Sequence, residues 1–183
     1  MNHTTIKVQL SGLRPLMFDR YAGDNNTKLP DAEKMYLDEQ QRLIMPAVNL
    51  YSMLCAENTK SVCLQFFPAK ERNKFRLGIS SFTTIDPFEI PITSKGEPVV
   101  FEGWNQQIRL HHSVARLPKG IPNPKARPVL SLPWDLAFEV TYQENEHCKL
   151  DTLRKMFIMG GTLGLGTFRP FFGRYEVTGW EKV

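Results

Sequence analysis

Polar and apolar residues alternate through TIKVQL, residues 5–10, the period-2 pattern of a half-buried strand. Gly12 and Pro15 interrupt it, and Leu16–Phe18 reads as its continuation after a bulge. The stretch 19–42 is polar and charged around a G-D-N-N cluster, which predicts a surface excursion with a short hairpin or helical turn. Val48, Leu50, Tyr51 and Leu54 then recur at helical spacing behind Pro46, whose missing N–H costs nothing in a first turn, so a helix is predicted over 47–57. KSVCLQFF at 60–67 and FRLGISSFTTI at 75–85 read as strands. Residues 87–103 are a proline-punctuated loop with a short strand at 99–101, and QIRLHHSVARL at 107–117 has strand character. PKGIPNPKARP, 118–128, with four prolines, reads as a loop or hairpin tip. VLSLPWDLAFEVTY, 129–142, predicts a long strand with an edge or bulge at Pro133.

A second amphipathic helix is expected over 145–159, with Leu150, Leu153, Met156 and Phe157 on one face and Gly160–Gly161 as its C-cap. YEVTGWEK, 175–182, is the last strand. This order matches the β-α-β-β-α-β motif. The expected fold class is therefore α+β: a ferredoxin-like (RRM-like) domain over 1–183 with a hairpin insertion at about 104–134 and a glycine-rich loop before the last strand. Two helices should lie on one face of an antiparallel sheet, leaving the other face free or covered by the insertion.

At 183 residues the chain can bury a core without a metal or disulfide staple. Cys55, Cys63 and Cys148 are odd in number and form no CxxC pair, which argues against a disulfide framework and against zinc. No cofactor or metal is called for. No apolar run approaches the roughly 18 residues of a membrane span. MNHTTIKVQLSG also lacks the apolar core of a signal peptide. A cytoplasmic location without membrane contact is expected.

The net charge of +4 conceals an uneven distribution. Residues 103–133 contain no Asp or Glu but hold Arg109, Arg116, Lys119, Lys125 and Arg127 with His111 and His112. Residues 155–174 are again free of acids and contribute Lys155, Arg169 and Arg174, while acids gather at 19–39 and 135–151. Trp104, Phe168, Phe171 and Phe172 interleave with the cations. Cations that displace counterions from phosphates, together with rings that stack on bases, hold single strands without reading sequence. The seven arginines and lysines from Arg109 to Arg127 and at Arg169 and Arg174 are the candidate contacts, with Phe168 and Phe171 as stacking candidates. Of FRPFF, one phenylalanine at least should be buried and one exposed.

GGTLGLGTFRPFFGRYEV, 160–177, carries five of the twelve glycines. It follows a helix and opens a strand, the reverse of a dinucleotide-binding fingerprint, and the chain has no P-loop GK[ST]. Gly164 and Gly166 exceed what a helix cap needs. Successive N–H groups in such a segment can cradle an anion. The segment resembles the glycine-rich loop of the RAMP superfamily, RNA-binding subunits of CRISPR-associated effector complexes with relatives in phages and mobile elements. IMPAVNLYSML, 44–54, resembles the opening of the first helix in their backbone subunits, although their serine-rich pattern is not reproduced. The closer similarity is to small phage proteins ending in G-x-G-x-(F/Y)-R-P-x-F-G-R-(F/Y). The resemblance implies that Gly164, Gly166 and Arg169 contact a nucleic-acid backbone and that Asn49 hydrogen-bonds a phosphate or base. It further implies that the basic hairpin 109–127 projects across the bases, and that copies assemble head to tail, with other subunits, into a filament.

Two other readings remain open. A metal-independent endoribonuclease would use His111 or His112 as general acid–base, and only one, because adjacent strand residues face opposite ways. Asp19 and Asp24, in the loop after the first strand, are weaker candidates for metal-assisted cleavage. Alternatively, the basic loops meet an acidic protein surface and the protein is an interaction subunit or inhibitor. The main expectation is a non-catalytic protein that binds RNA or single-stranded DNA.

Overall fold

The computed structural model describes residues 3–24, 26–57, 60–114, 120 and 122–183, together with the backbone of 115 and 116. Strand β1 is His3–Gly12, β2 Leu16–Met17, β3 Ile44–Pro46, β4 Thr83–Asp86 and β5 Glu89–Ser94. The short β6 is Glu97–Pro98, the hairpin is β7 Ile108–Arg116 and β8 Pro122–Leu130, and β9 Asp135–Gln143 and β10 Tyr175–Lys182 complete the set. The helices are α1 Ala47–Cys55, α2 Val62–Phe66, α3 Ala69–Ser80 and α4 Leu150–Leu163, and a 3-10 turn at Asp31–Lys34 precedes β3.

Strands β10, β1, β9 and β4 lie side by side, every pair antiparallel. With helices between β1 and β4 and between β9 and β10, this is the ferredoxin-like arrangement. Strand β9 is shared along its length: Glu139–Tyr142 pairs with β4, while Leu136 and Asp135 pair with β5, which carries β3 and β6. Alternation decides the two faces. Ile6, Val8, Leu10, Leu136, Phe138 and Val140 are buried beneath the helices, and Lys7, Gln9, Ala137 and Glu139 face outward. Leu50, Met53 and Leu54 of α1 and Leu153, Met156 and Phe157 of α4 fill the helix side of this core. The second sheet, β2-β8-β7, belongs to the insertion.

Several local expectations are corrected. Residues 62–66 are helical, because Ser61 Oγ accepts from Leu64 N–H as an N-cap and Arg72 donates to the terminal carbonyls of Leu64 and Phe67 (both 2.9 Å). Residues 69–80 form α3, since its opening AKERNK is rich in helix formers, and the strand starts only at Thr83. Residues 122–128 are strand, not a tip. The carbonyls of Ala126 and Pro128 point away from β7, toward Lys34 Nζ and Phe18 N–H. Pro122, Pro124 and Pro128 share that orientation, so their missing donors fall on the side where no ladder to β7 is needed. Leu16–Met17 does not prolong β1; it pairs with β8. The long strand expected at 129–142 is two, because the chain leaves one sheet after Leu130 and enters the other at Asp135.

Gly160 and Gly161 do not cap α4 but lie in its last turn. A Cβ at either would overlap Met53 Sδ or the Tyr175 carbonyl, so their role is close packing. The cap is Gly164 (φ +84°), whose N–H donates to Gly160 O (2.8 Å).

Candidate nucleic-acid interface

In the ferredoxin-like order, the C-terminal end of β1, the start of α1, the end of α4 and the start of β10 meet at one end of the sheet. The glycine-rich loop 164–174 lies there and is tied to β2. Thr167 N–H donates to Met17 O (3.0 Å) and Gly173 N–H to Pro15 O (2.8 Å). Leu165 N–H bonds back to Gly173 O (2.9 Å), and Arg174 O accepts from Leu13 and Arg14 (2.7 and 3.2 Å). The backbone approach that Gly164 and Gly166 permit is thus to the protein itself. A Cβ on Gly164 would stand 2.7 Å from Phe172 O, and one on Gly166 (φ +71°) would overlap Met17 O.

The tip behaves differently. Phe168 and Phe171 are 53% and 73% exposed, with ring centroids 5.7 Å apart. Phe172 is half-buried, so no ring of FRPFF is fully buried; Leu165, Trp134 and Tyr175 already fill the core at this end. Arg169 folds back beneath the tip, where Nη1 donates to Gly164 O (3.4 Å). It is half-buried and forms no ion pair among the described residues, and loss of hydration pulls its pKa below the ordinary value. A guanidinium cannot give up its proton at accessible pH, so it remains a desolvated cation without an anion. Arg174 is exposed and unpaired among the described residues.

The loop and the basic hairpin meet. Because β8 lies between β2 and β7, the loop tip must cross the face of β8 for Phe172 to reach His111, 5.5 Å between ring centroids. Directly opposed residues share a face, so the pairs Arg109–Val129, His111–Arg127 and Ser113–Lys125 place Arg109, His111, Lys125 and Arg127 together on that face. Arg109 is exposed, Lys125 half-buried, and Arg127 donates from Nε to Asp19 Oδ2 (2.7 Å). His112 stands on the opposite face. The Arg116 side chain and Lys119 lie outside the described residues. Asn49, in the first turn of α1, donates from Nδ2 to Met45 Sδ (3.3 Å), and no described contact joins it to the loop. Trp104 packs on Phe101, 5.0 Å between ring centroids.

Two features escaped the sequence. The Asp19–Arg127 pair joins residues 108 apart with no local motif. Trp134, wholly buried, donates from Nε1 to Arg14 O (2.8 Å) and fills the space that Gly12 leaves, anchoring the turn under the loop. The pairing of a fully buried Trp with a glycine has no sequence signature.

No family model matches the chain, and no curated protein matches it. Among solved structures, the fold is similar to the cryo-EM structure of the type III-B Cmr-beta bound to cognate target RNA, with a TM-score of 0.64 and 10% identity over 99% of this chain. The present chain spans 61% of the length of that chain. The likeness shows a shared fold. Among the described residues, no helix is long and apolar enough to cross a membrane.

Proposed function

We propose that the protein is a non-catalytic subunit that binds RNA or single-stranded DNA across the glycine-rich loop and the adjoining basic face of the hairpin. Arg169 carries this reading. A half-buried cation with no carboxylate partner among the described residues, in the loop that carries two exposed rings and Arg174, likewise unpaired among those residues, suits a phosphate with its neighbouring bases stacked outward. Arg109, Lys125 and Arg127 extend the phosphate track, and Arg116 and Lys119 join the proposed contacts by their place in the same basic stretch of sequence. Gly164 and Gly166 shape the loop that presents Arg169, and Asn49 in the first turn of α1 completes the proposed contacts. The similar Cmr-beta structure holds target RNA, which favours RNA over DNA and a place in a CRISPR-like, phage or mobile-element assembly of several copies along a strand.

Catalysis is not part of the proposal. His111 is packed edge-on against Phe172 and His112 faces the other way, so of the two only His111 lies on the face that the strand would cross. Fluorescence polarisation with labelled RNA and DNA oligonucleotides over a salt series tests the binding. Affinity should fall steeply with salt, and a protein that binds neither polymer at low salt refutes the proposal. Labelled RNA incubated in EDTA should stay intact; a product lost in His111→Ala would replace this reading with the endoribonuclease one. Light scattering with and without RNA counts the copies.

A further inference from the structure

The chain holds four histidines, and the fold sends three of them away from the loop and the hairpin face beside it. His3 opens β1 and His147 precedes α4, so both stand at the end of the sheet opposite the glycine-rich loop. His112 points to the other face of the hairpin. His111 shares the face of Arg109, Lys125 and Arg127, with Arg127 directly opposed to it across the ladder. Its ring is half-buried and packs edge-on against Phe172, 5.5 Å between centroids. Neither ring nitrogen has a hydrogen-bond or ion-pair partner among the described residues.

The charges around His111 are mostly positive. Its own strand carries Arg109, and β8 carries Lys125 and Arg127. The loop that packs on it brings Arg169 and Arg174. Strand β2, on the far side of β8, is Leu16–Met17 and adds no charge. From the excursion before β3, Lys34 Nζ donates to Ala126 O (2.7 Å) and pairs with Asp31. Asp19 from the same excursion reaches the face, where Arg127 already holds it (2.7 Å). A phosphate crossing β8 would supply the anion that this face lacks. Arginine, lysine and the carboxylates keep their charges between about pH 5 and 8, and imidazole is the side chain that changes its own there. The protonated ring donates from both nitrogens and attracts a phosphate, whereas the neutral ring offers one donor and no charge.

We propose that His111 is a proton-dependent phosphate contact, so that strand binding and protonation of His111 favour each other. The proposal rests on the reading given above and adds to it a residue and a dependence on pH. Its sign follows from linkage. The complex holds more protons than the free protein, so affinity rises as pH falls through the imidazole range and the gain is absent above it.

Polarisation with a labelled oligouridine of about 12 nucleotides, whose bases do not titrate between about pH 5.5 and 8, tests it. From pH 8 to 5.5 the wild type should bind roughly fivefold more tightly, and its salt slope should steepen by about 0.7, the increment of one phosphate contact on a single strand. His111→Gln and His111→Phe should match the wild type at pH 8 and gain nothing on acidification. Phenylalanine retains a ring against Phe172 and carries no proton to share. His112→Gln should keep the full gain. Calorimetry near pH 6.5 in two buffers of different ionisation heat should record proton uptake by the wild type and its loss in His111→Gln. An affinity that is flat with pH, or a gain that survives in His111→Gln, overturns the proposal and leaves the binding site standing. A variant weakened as much at pH 8 as at pH 5.5 also overturns it, because His111 would then serve by packing and not by charge. A wild-type protein that binds at no pH removes both readings.

Discussion

The glycine-rich loop and the basic hairpin converge on one surface, yet they are built in opposite ways. The loop is held from below, with its amides bonded to β2 and its own returning arm and no room for a Cβ at Gly166. The hairpin is held by its ladder to β7 and a few side chains, and its prolines sit where no donor is needed. The glycines are structural necessities and the prolines are tolerated. In the loop, then, root and tip separate: glycines fix the root, while Phe168 and Phe171 at the tip are exposed and Arg169 folds back without an ion pair among the described residues.

That contrast predicts its largest effect on stability. Gly166→Ala forces a side chain into a left-handed conformation and against Met17 O, and it should cost about 3 kcal/mol. For a chain of this size that lowers Tm by roughly 10 °C. Pro124→Ala should cost under about 1 kcal/mol, since it loosens only the unfolded chain. Thermal denaturation of the two variants breaks the comparison if their order is reversed.

The same contrast explains which parts of the molecule could be read from its sequence. Elements marked by periodicity came through: β1, α1, β7, α4 and β10 lie close to where TIKVQL, the Val48–Leu54 spacing, QIRLHHSVARL, the Leu150–Phe157 face and YEVTGWEK place them. Where a residue type has two structural uses, the sequence does not choose. Proline in 122–128 signals a turn unless one knows which edge of the strand faces a partner. Glycine at 160–161 signals a cap unless one knows that Met53 and Tyr175 press on it. Charge bias in the sequence singles out Arg109, Lys125, Arg169 and Arg174 as candidates, and local composition suffices for that. The burial of Arg169, the Phe172–His111 contact and the Asp19–Arg127 pair depend on chain segments meeting across long separations, which composition does not encode.

If the tip alone carries binding, its cations should matter next. Arg169→Ala/Arg174→Ala should weaken RNA about thirtyfold at low salt, across all sequences, and lower the salt slope by roughly 1.4. Its denaturation midpoint should stay near that of the wild type, because neither side chain bonds more than one backbone oxygen. A stability loss as large as that of Gly166→Ala would place Arg169 with the root. Phe171→Ala comes below this. Losing one stacked base is worth about 1 kcal/mol, or roughly fivefold in affinity with the salt slope unchanged. A changed slope would mean that Phe171 positions the cations and does not stack.

The smallest effect has the opposite sign. Asp19 holds Arg127 on the hairpin face, and the pair is partly exposed, so its contribution to stability is below about 1 kcal/mol. A strand crossing that face meets the carboxylate as well as the cation. Asp19→Asn keeps the shape and a hydrogen-bond acceptor for Arg127 but removes the negative charge from the phosphate track. RNA should then bind about twofold more tightly at low salt, and the advantage should disappear near 1 M salt, where charges more than about 3 Å apart are screened. Weaker binding in Asp19→Asn would show that Asp19 chiefly positions Arg127 for the ligand, and that the hairpin, like the loop, depends on its root to present its tip.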